Sequence, residues 1–164
     1  MKKIVLLILF MFAFSGCEKD DICDATTSTT PKITIEFYDF VNTLTAKNVT
    51  NLKIISQSIT PGFSATGVSK ISIPLNTATE TTTYNFIQNG ADEITTNDNT
   101  DVITFNYSKN TVYVSRACGY KINFNLTNTN SNLLALETNY WIKNIIITKP
   151  NIVNENETHI KIYF

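Results

Sequence analysis

Tyr120-Lys121-Ile122-Asn123-Phe124-Asn125-Leu126 decides the fold class. Apolar and polar residues alternate without a break, so Tyr120, Ile122, Phe124 and Leu126 share one face while the lysine and asparagines share the other. A period of two marks a strand with one face on a core and one in water. The same period recurs outward from this stretch. Ile103, Phe105 and Tyr107 alternate with Thr104 and Asn106, and Ile71-Ser72-Ile73 runs on to Leu75. Ile33, Ile35 and Phe37 alternate with Thr34 and Glu36, and Ile160, Ile162 and Phe164 repeat the pattern. The 25 threonines and 20 asparagines agree with this reading, since β-branched residues suit strands and asparagine suits turns.

Residues 44–59 could pass for a helix, but Val49, Thr50, Ile54, Ile55 and Ile59 make a poor one, because β-branched side chains lose rotamers there. A strand around Leu52–Ser58 is expected instead. Asn89-Gly90 after Tyr84–Gln88 signals a hairpin, and Lys109-Asn110 is expected to turn Val102–Ser108 back into Thr111–Ser115. Pro61-Gly62 and Pro74 punctuate loops or an edge. Eight or nine short strands with turn signals between them predict an all-β fold, an antiparallel β-sandwich of the immunoglobulin-like kind. A lipocalin-like closed barrel is the alternative, disfavoured by short strands and uneven loops.

The N-terminus carries an address. Met1-Lys2-Lys3 is basic, Ile4–Phe14 is an apolar run of eleven residues, and Phe14-Ser15-Gly16-Cys17 ends it with small residues and a cysteine. Basic start, apolar centre and small residues at the cut make a signal peptide, and the run is too short to span roughly 30 Å of hydrocarbon. Phe14–Cys17 resembles the lipobox of bacterial lipoproteins. That resemblance implies cleavage after Gly16 and a Cys17 bearing a thioether-linked diacylglyceryl group and an amide-linked, palmitate-type chain. Two or three chains hold a protein firmly on a bilayer, since each buried CH₂ contributes about 0.8 kcal/mol. The chain then divides into a signal peptide (1–16), a lipidated tether (17–31) and one sandwich domain (32–164). Lys19, Asp20 and Asp21, following Glu18, resemble the export signal that sends Bacteroidetes-type lipoproteins to the outer face of the outer membrane. The periplasmic face is the alternative.

Without Lys2 and Lys3 the chain keeps 11 basic and 14 acidic residues. That balance is too mild to argue for nucleic acid or an anionic surface. Cys23 and Cys118 remain beside Cys17. An exported pair tends to form a disulfide, with two free buried thiols or a metal pair as alternatives; zinc wants four ligands, and His159 is the only histidine. If bridged, Cys23 lies six residues from the lipid, so the tether reaches at most about 20 Å and the domain sits close to the membrane.

The candidate constellations are sparse. Arg116, the only arginine, precedes Cys118 by two residues and is placed on the same strand face; a bridge to Cys23 would bring Asp21 and Asp24 near it as carboxylates for a tether-docking ion pair, with an anionic ligand or a solvated surface cation as the alternatives. Tyr140-Trp141 and Phe37-Tyr38 suggest a sugar-stacking platform, although adjacent strand residues face opposite ways, and a sandwich tryptophan is more often a core anchor. Asp92-Glu93 and Asp98 with Asp101 could offer oxygens to calcium, but they do not fit the twelve-residue loop and read as solvated loop acids. No nucleophile elbow accompanies His159.

Cys17–Cys23, Ile33-Thr34-Ile35-Glu36-Phe37-Tyr38-Asp39 and Ser115-Arg116-Ala117-Cys118-Gly119-Tyr120 together are similar to a family of small Bacteroidetes lipoproteins of unknown function (DUF6452). The resemblance implies an outer-membrane lipoprotein with a β-rich domain, and no catalytic residues. The expectation is a non-enzymatic protein without cofactor or metal, held on the bilayer through acylated Cys17 and binding an outer-membrane protein partner. A surface glycan or small-ligand module is the alternative.

Overall fold

The computed structural model describes residues 22–56, 58–59, 61–127 and 140–164. Residues 1–16, Cys17, Lys19, Asp20 and Asp21 lie outside that range. The described residues form β1 (Ile33–Tyr38), β2 (Leu52–Ile55), β3 (Phe63–Ala65), β4 (Lys70–Ile73), β5 (Thr81–Gln88), β6 (Asn99–Ser115), β7 (Gly119–Leu126), β8 (Asn144–Ile147), β9 (Asn151–Ile152) and β10 (Ile160–Tyr163), with a 3₁₀ turn at Thr95–Asn97. They make two sheets, β4-β1-β10-β8 and β3-β2-β5-β6-β7-β9.

The fold is all-β and sandwich-like, as the alternation predicts. It departs from a purely antiparallel arrangement at one pair: β1 runs parallel to β10, with Ile35 opposite Ile160 and Phe37 opposite Ile162. Both strands therefore sit inside their sheet, flanked by β4 and β8. The inward residues of both sheets meet in one core that includes Phe37, Phe86, Phe105, Phe124, Ile33, Ile35, Ile54 and Ile162. Full burial of each such side chain contributes roughly 1.5–3 kcal/mol. The Phe37 ring stacks on Trp141 at 6.4 Å, and Trp141 donates its indole N–H to the Phe86 carbonyl at 3.1 Å.

Three local expectations need correction. The strand placed at Leu52–Ser58 stops at Ile55. Asn89-Gly90 does begin the β5–β6 hairpin, and Asn89 takes φ +66°, but the connection runs on through residues 89–98 before Asn99 pairs with Gln88. A side chain at Gly90 would put Cβ 2.5 Å from Ile87, so the glycine is required by close approach. Lys109-Asn110 is no turn. Both stay in the ladder, opposite Phe124 and Asn123, and neither adopts the positive φ that a two-residue primed turn needs. β6 continues to Ser115, and the chain reverses at Arg116–Cys118, where Gly119 takes φ +69° and the Ser115 hydroxyl accepts the Cys118 N–H at 3.0 Å.

Candidate functional site

The β6–β7 hairpin outruns the core. Along its inward face burial is complete at Tyr107 and Phe124, then fails. Tyr113 and Tyr120 lie directly opposite each other and are 56% and 69% exposed. Their rings meet edge to face at 5.3 Å. A β-bulge between Tyr113 and Ser115 precedes the reversal, and the turn itself carries Cys118.

Cys118 is bridged to Cys23, across 95 residues of sequence, with Cα atoms 4.9 Å apart. The disulfide draws the segment after Cys23 against the hairpin. Asp24 caps a tight turn by accepting the Thr26 N–H at 2.7 Å and the Thr26 hydroxyl at 2.6 Å, which holds its carboxyl below the usual range. Lys121 donates to the Ser28 hydroxyl at 2.7 Å, and the Ile122 N–H donates to the Thr30 hydroxyl at 3.0 Å. The tether thereby lies along the start of β7, ahead of the stretch that pairs with β9. It then enters β1, which the chain leaves at the opposite end of the strand. Between tether and hairpin lies an open groove of about 350 Å³, bordered by Ile22, Asp24, Tyr113, Arg116 and Cys118.

The docking pair of Arg116 with Asp24 is not formed. Ion pairs among the described residues join Lys47 to Asp39, Lys70 to Glu36 and Lys149 to Glu157. Arg116 belongs to the turn, so its two-residue spacing from Cys118 does not put both on one strand face, and Asp24 is engaged by Thr26. Asp21 lies outside the described residues. Tether docking runs through the disulfide and the Ser28 and Thr30 hydroxyls.

Of the other candidates, Glu93 and Asp98 are exposed, as solvated loop acids should be, and the following serve the fold. Trp141 and Phe37 are buried, so neither offers a stacking surface. His159 is buried with its Nδ1 accepting the Thr34 N–H at 2.9 Å, and burial pushes its pKa down. Asp101, read above as a solvated loop acid, is buried and accepts the Ile142 N–H at 2.7 Å. Asp92 accepts from Asn51 at 2.9 Å and from the Ile94 N–H at 2.8 Å, fastening the loop after β5. Among the described residues no three His, Cys, Asp or Glu side chains gather to hold a metal. A second open groove, of about 490 Å³, lies on the outward face of the larger sheet, where Thr81, Thr83 and Asn85 line up beside Ile55 and Val102.

The exposed tyrosine pair is the feature that sequence reasoning missed. Its signal was the Ser115-Arg116-Ala117-Cys118-Gly119 turn, which makes Tyr113 and Tyr120 cross-strand neighbours once the reversal is placed there.

The profile of a family described as a family of unknown function, DUF6452, matches residues 43–164. The match takes in the turn with Cys118 and leaves out Cys23 and β1. No curated protein and no solved structure matches the chain.

Proposed function

Since the chain belongs to the DUF6452 family of unknown function, we propose its role from its own residues: a lipid-anchored, non-enzymatic accessory subunit that binds an outer-membrane protein. The observation that carries this reading is the Cys23–Cys118 bridge. With Cys17 acylated, it confines the domain to about 20 Å of the bilayer, where a small protein meets chiefly partners already in the membrane. Lys19-Asp20-Asp21 favours the outer, cell-surface face. A non-enzymatic role is supported by His159 and Asp101, whose ring nitrogen and carboxylate are both committed to backbone N–H groups.

Purification of the full acylated chain from mild detergent tests the reading. A stoichiometric outer-membrane protein should accompany it. Isolation of the domain alone, with a saturable thermal shift on adding oligosaccharides, would instead support a glycan-binding module. The aligned hydroxyl and amide groups of Thr81, Thr83 and Asn85 in the open groove favour that second reading. Protease shaving of intact against lysed cells checks the face: protection until lysis would remove Lys19-Asp20-Asp21 as an export signal.

A further inference from the structure

We propose that the free end of the β6–β7 hairpin is a second membrane contact, with Tyr113, Tyr120 and Ile22 entering the lipid–water interface of the bilayer that holds the anchor. This rests on the lipid-anchor reading of Cys17. Tyr113 and Tyr120 occupy core-facing positions of their strands, yet they lie where no opposing sheet covers them. Two amphipathic rings with apolar bodies and polar tips suit the headgroup layer, where tyrosine is enriched. Ile22, 79% exposed, borders the same groove. An isolated exposed residue would mean little; here three large side chains share one end.

Chain reach argues for the lipid as the occupant. Ile22 is five residues from Cys17, at most about 18 Å when extended, and the disulfide fixes this end of the domain to that segment. The interfacial layer is only about 5–8 Å thick on each side of the hydrocarbon. Arg116 at the turn makes no ion pair with a described residue, and a guanidinium binds phosphate in a fork that lysine cannot copy; the Asp24 carboxylate on the same groove is engaged by Thr26. The opposite end of β1 carries Phe40, Val41 and Leu44, exposed on the loop after the strand. In the proposed orientation that loop points away from the bilayer.

The test uses full-length acylated protein in nanodiscs of phosphatidylethanolamine and phosphatidylglycerol containing a gadolinium-chelating lipid. A trifluoromethyl-phenylalanine replaces Tyr120 in one sample and Phe40 in another; both sites are exposed, so the fold is retained. The expected result is an intact mass carrying the acyl groups, a ¹⁹F signal strongly broadened at position 120, and a sharp one at position 40. Acylated protein with a sharp signal at 120, or with broadening at 40 alone, overturns the proposal and leaves the anchor reading intact. A signal at 120 that stays sharp in lipid but shifts with added oligosaccharide also overturns it, assigning the tyrosines to a glycan. Absence of the acyl mass overturns both.

Discussion

Thr34 and His159 bond each other twice across 125 residues of sequence. The Thr34 N–H donates to the imidazole Nδ1 at 2.9 Å, and the His159 N–H donates to the Thr34 carbonyl at 2.9 Å. The ring can accept only while neutral, so this link between the first strand and the lead into the last depends on pH.

Stability should therefore fall as pH drops from 7.5 to 5.5. Burial holds the folded imidazole below the ordinary histidine pKa, against Glu155 and Glu157, which raise it, and with Lys70, which lowers it. The unfolded ring takes a proton near pH 6.5. The unfolded state thus binds more protons as pH falls, and the contribution is full above about pH 6.5 and lost below it. Carboxylates held low, such as Glu36 and Asp39, act in a more acid window. Urea unfolding of wild type and His159→Gln checks this: the pH slope should shrink in the variant, and an equal slope would refute the assignment.

Replacing both Cys23 and Cys118 by serine should lower stability. In the loop-entropy account a closure of this length is worth on the order of 4–5 kcal/mol. The denaturant midpoint should drop, and residues 22–30 should become cleavable by protease under native conditions. An unchanged midpoint would show that the Ser28 and Thr30 hydrogen bonds dock the tether unaided.

Asp101→Ala should cost about 1–3 kcal/mol by leaving the buried Ile142 N–H without its carboxylate. Asp101→Asn, which keeps an acceptor oxygen, should recover much of that loss. Thermal melts of the two variants decide it; equal melting temperatures would mean that the acceptor is not what the position supplies.

Phe37→Ala should cost about 3–5 kcal/mol, because the ring is fully buried against Trp141 and Phe164. Fluorescence of the only tryptophan should shift to longer wavelength as Trp141 loses its cover. A stable variant with unshifted emission would place the core elsewhere.

Much of the fold is legible locally. Ile33, Ile35, Phe37, Ile71, Ile73, Ile103, Phe105, Tyr107, Phe124, Leu126, Ile160 and Ile162 are all read as inward from alternation, and all are buried. Tyr120 breaks the series: it faces the same way as Phe124 but has no sheet opposite, and alternation reports direction, not cover. The Lys109-Asn110 misreading has the same root. Polar residues look like a turn until their ladder partners, Phe124 and Asn123, are known.

The sequence alone determined strand character and the apolar face of each strand, because side-chain direction alternates within a few residues of backbone. It also limited the disulfide to a choice between a bridge and free or metal-bound thiols. Tertiary structure decided that β1 and β10 pair in parallel, that Cys118 sits in the reversal beside the tether, and that the hairpin extends past the core. Each of these depends on contacts between residues remote in the chain, whose relative stability no local pattern records.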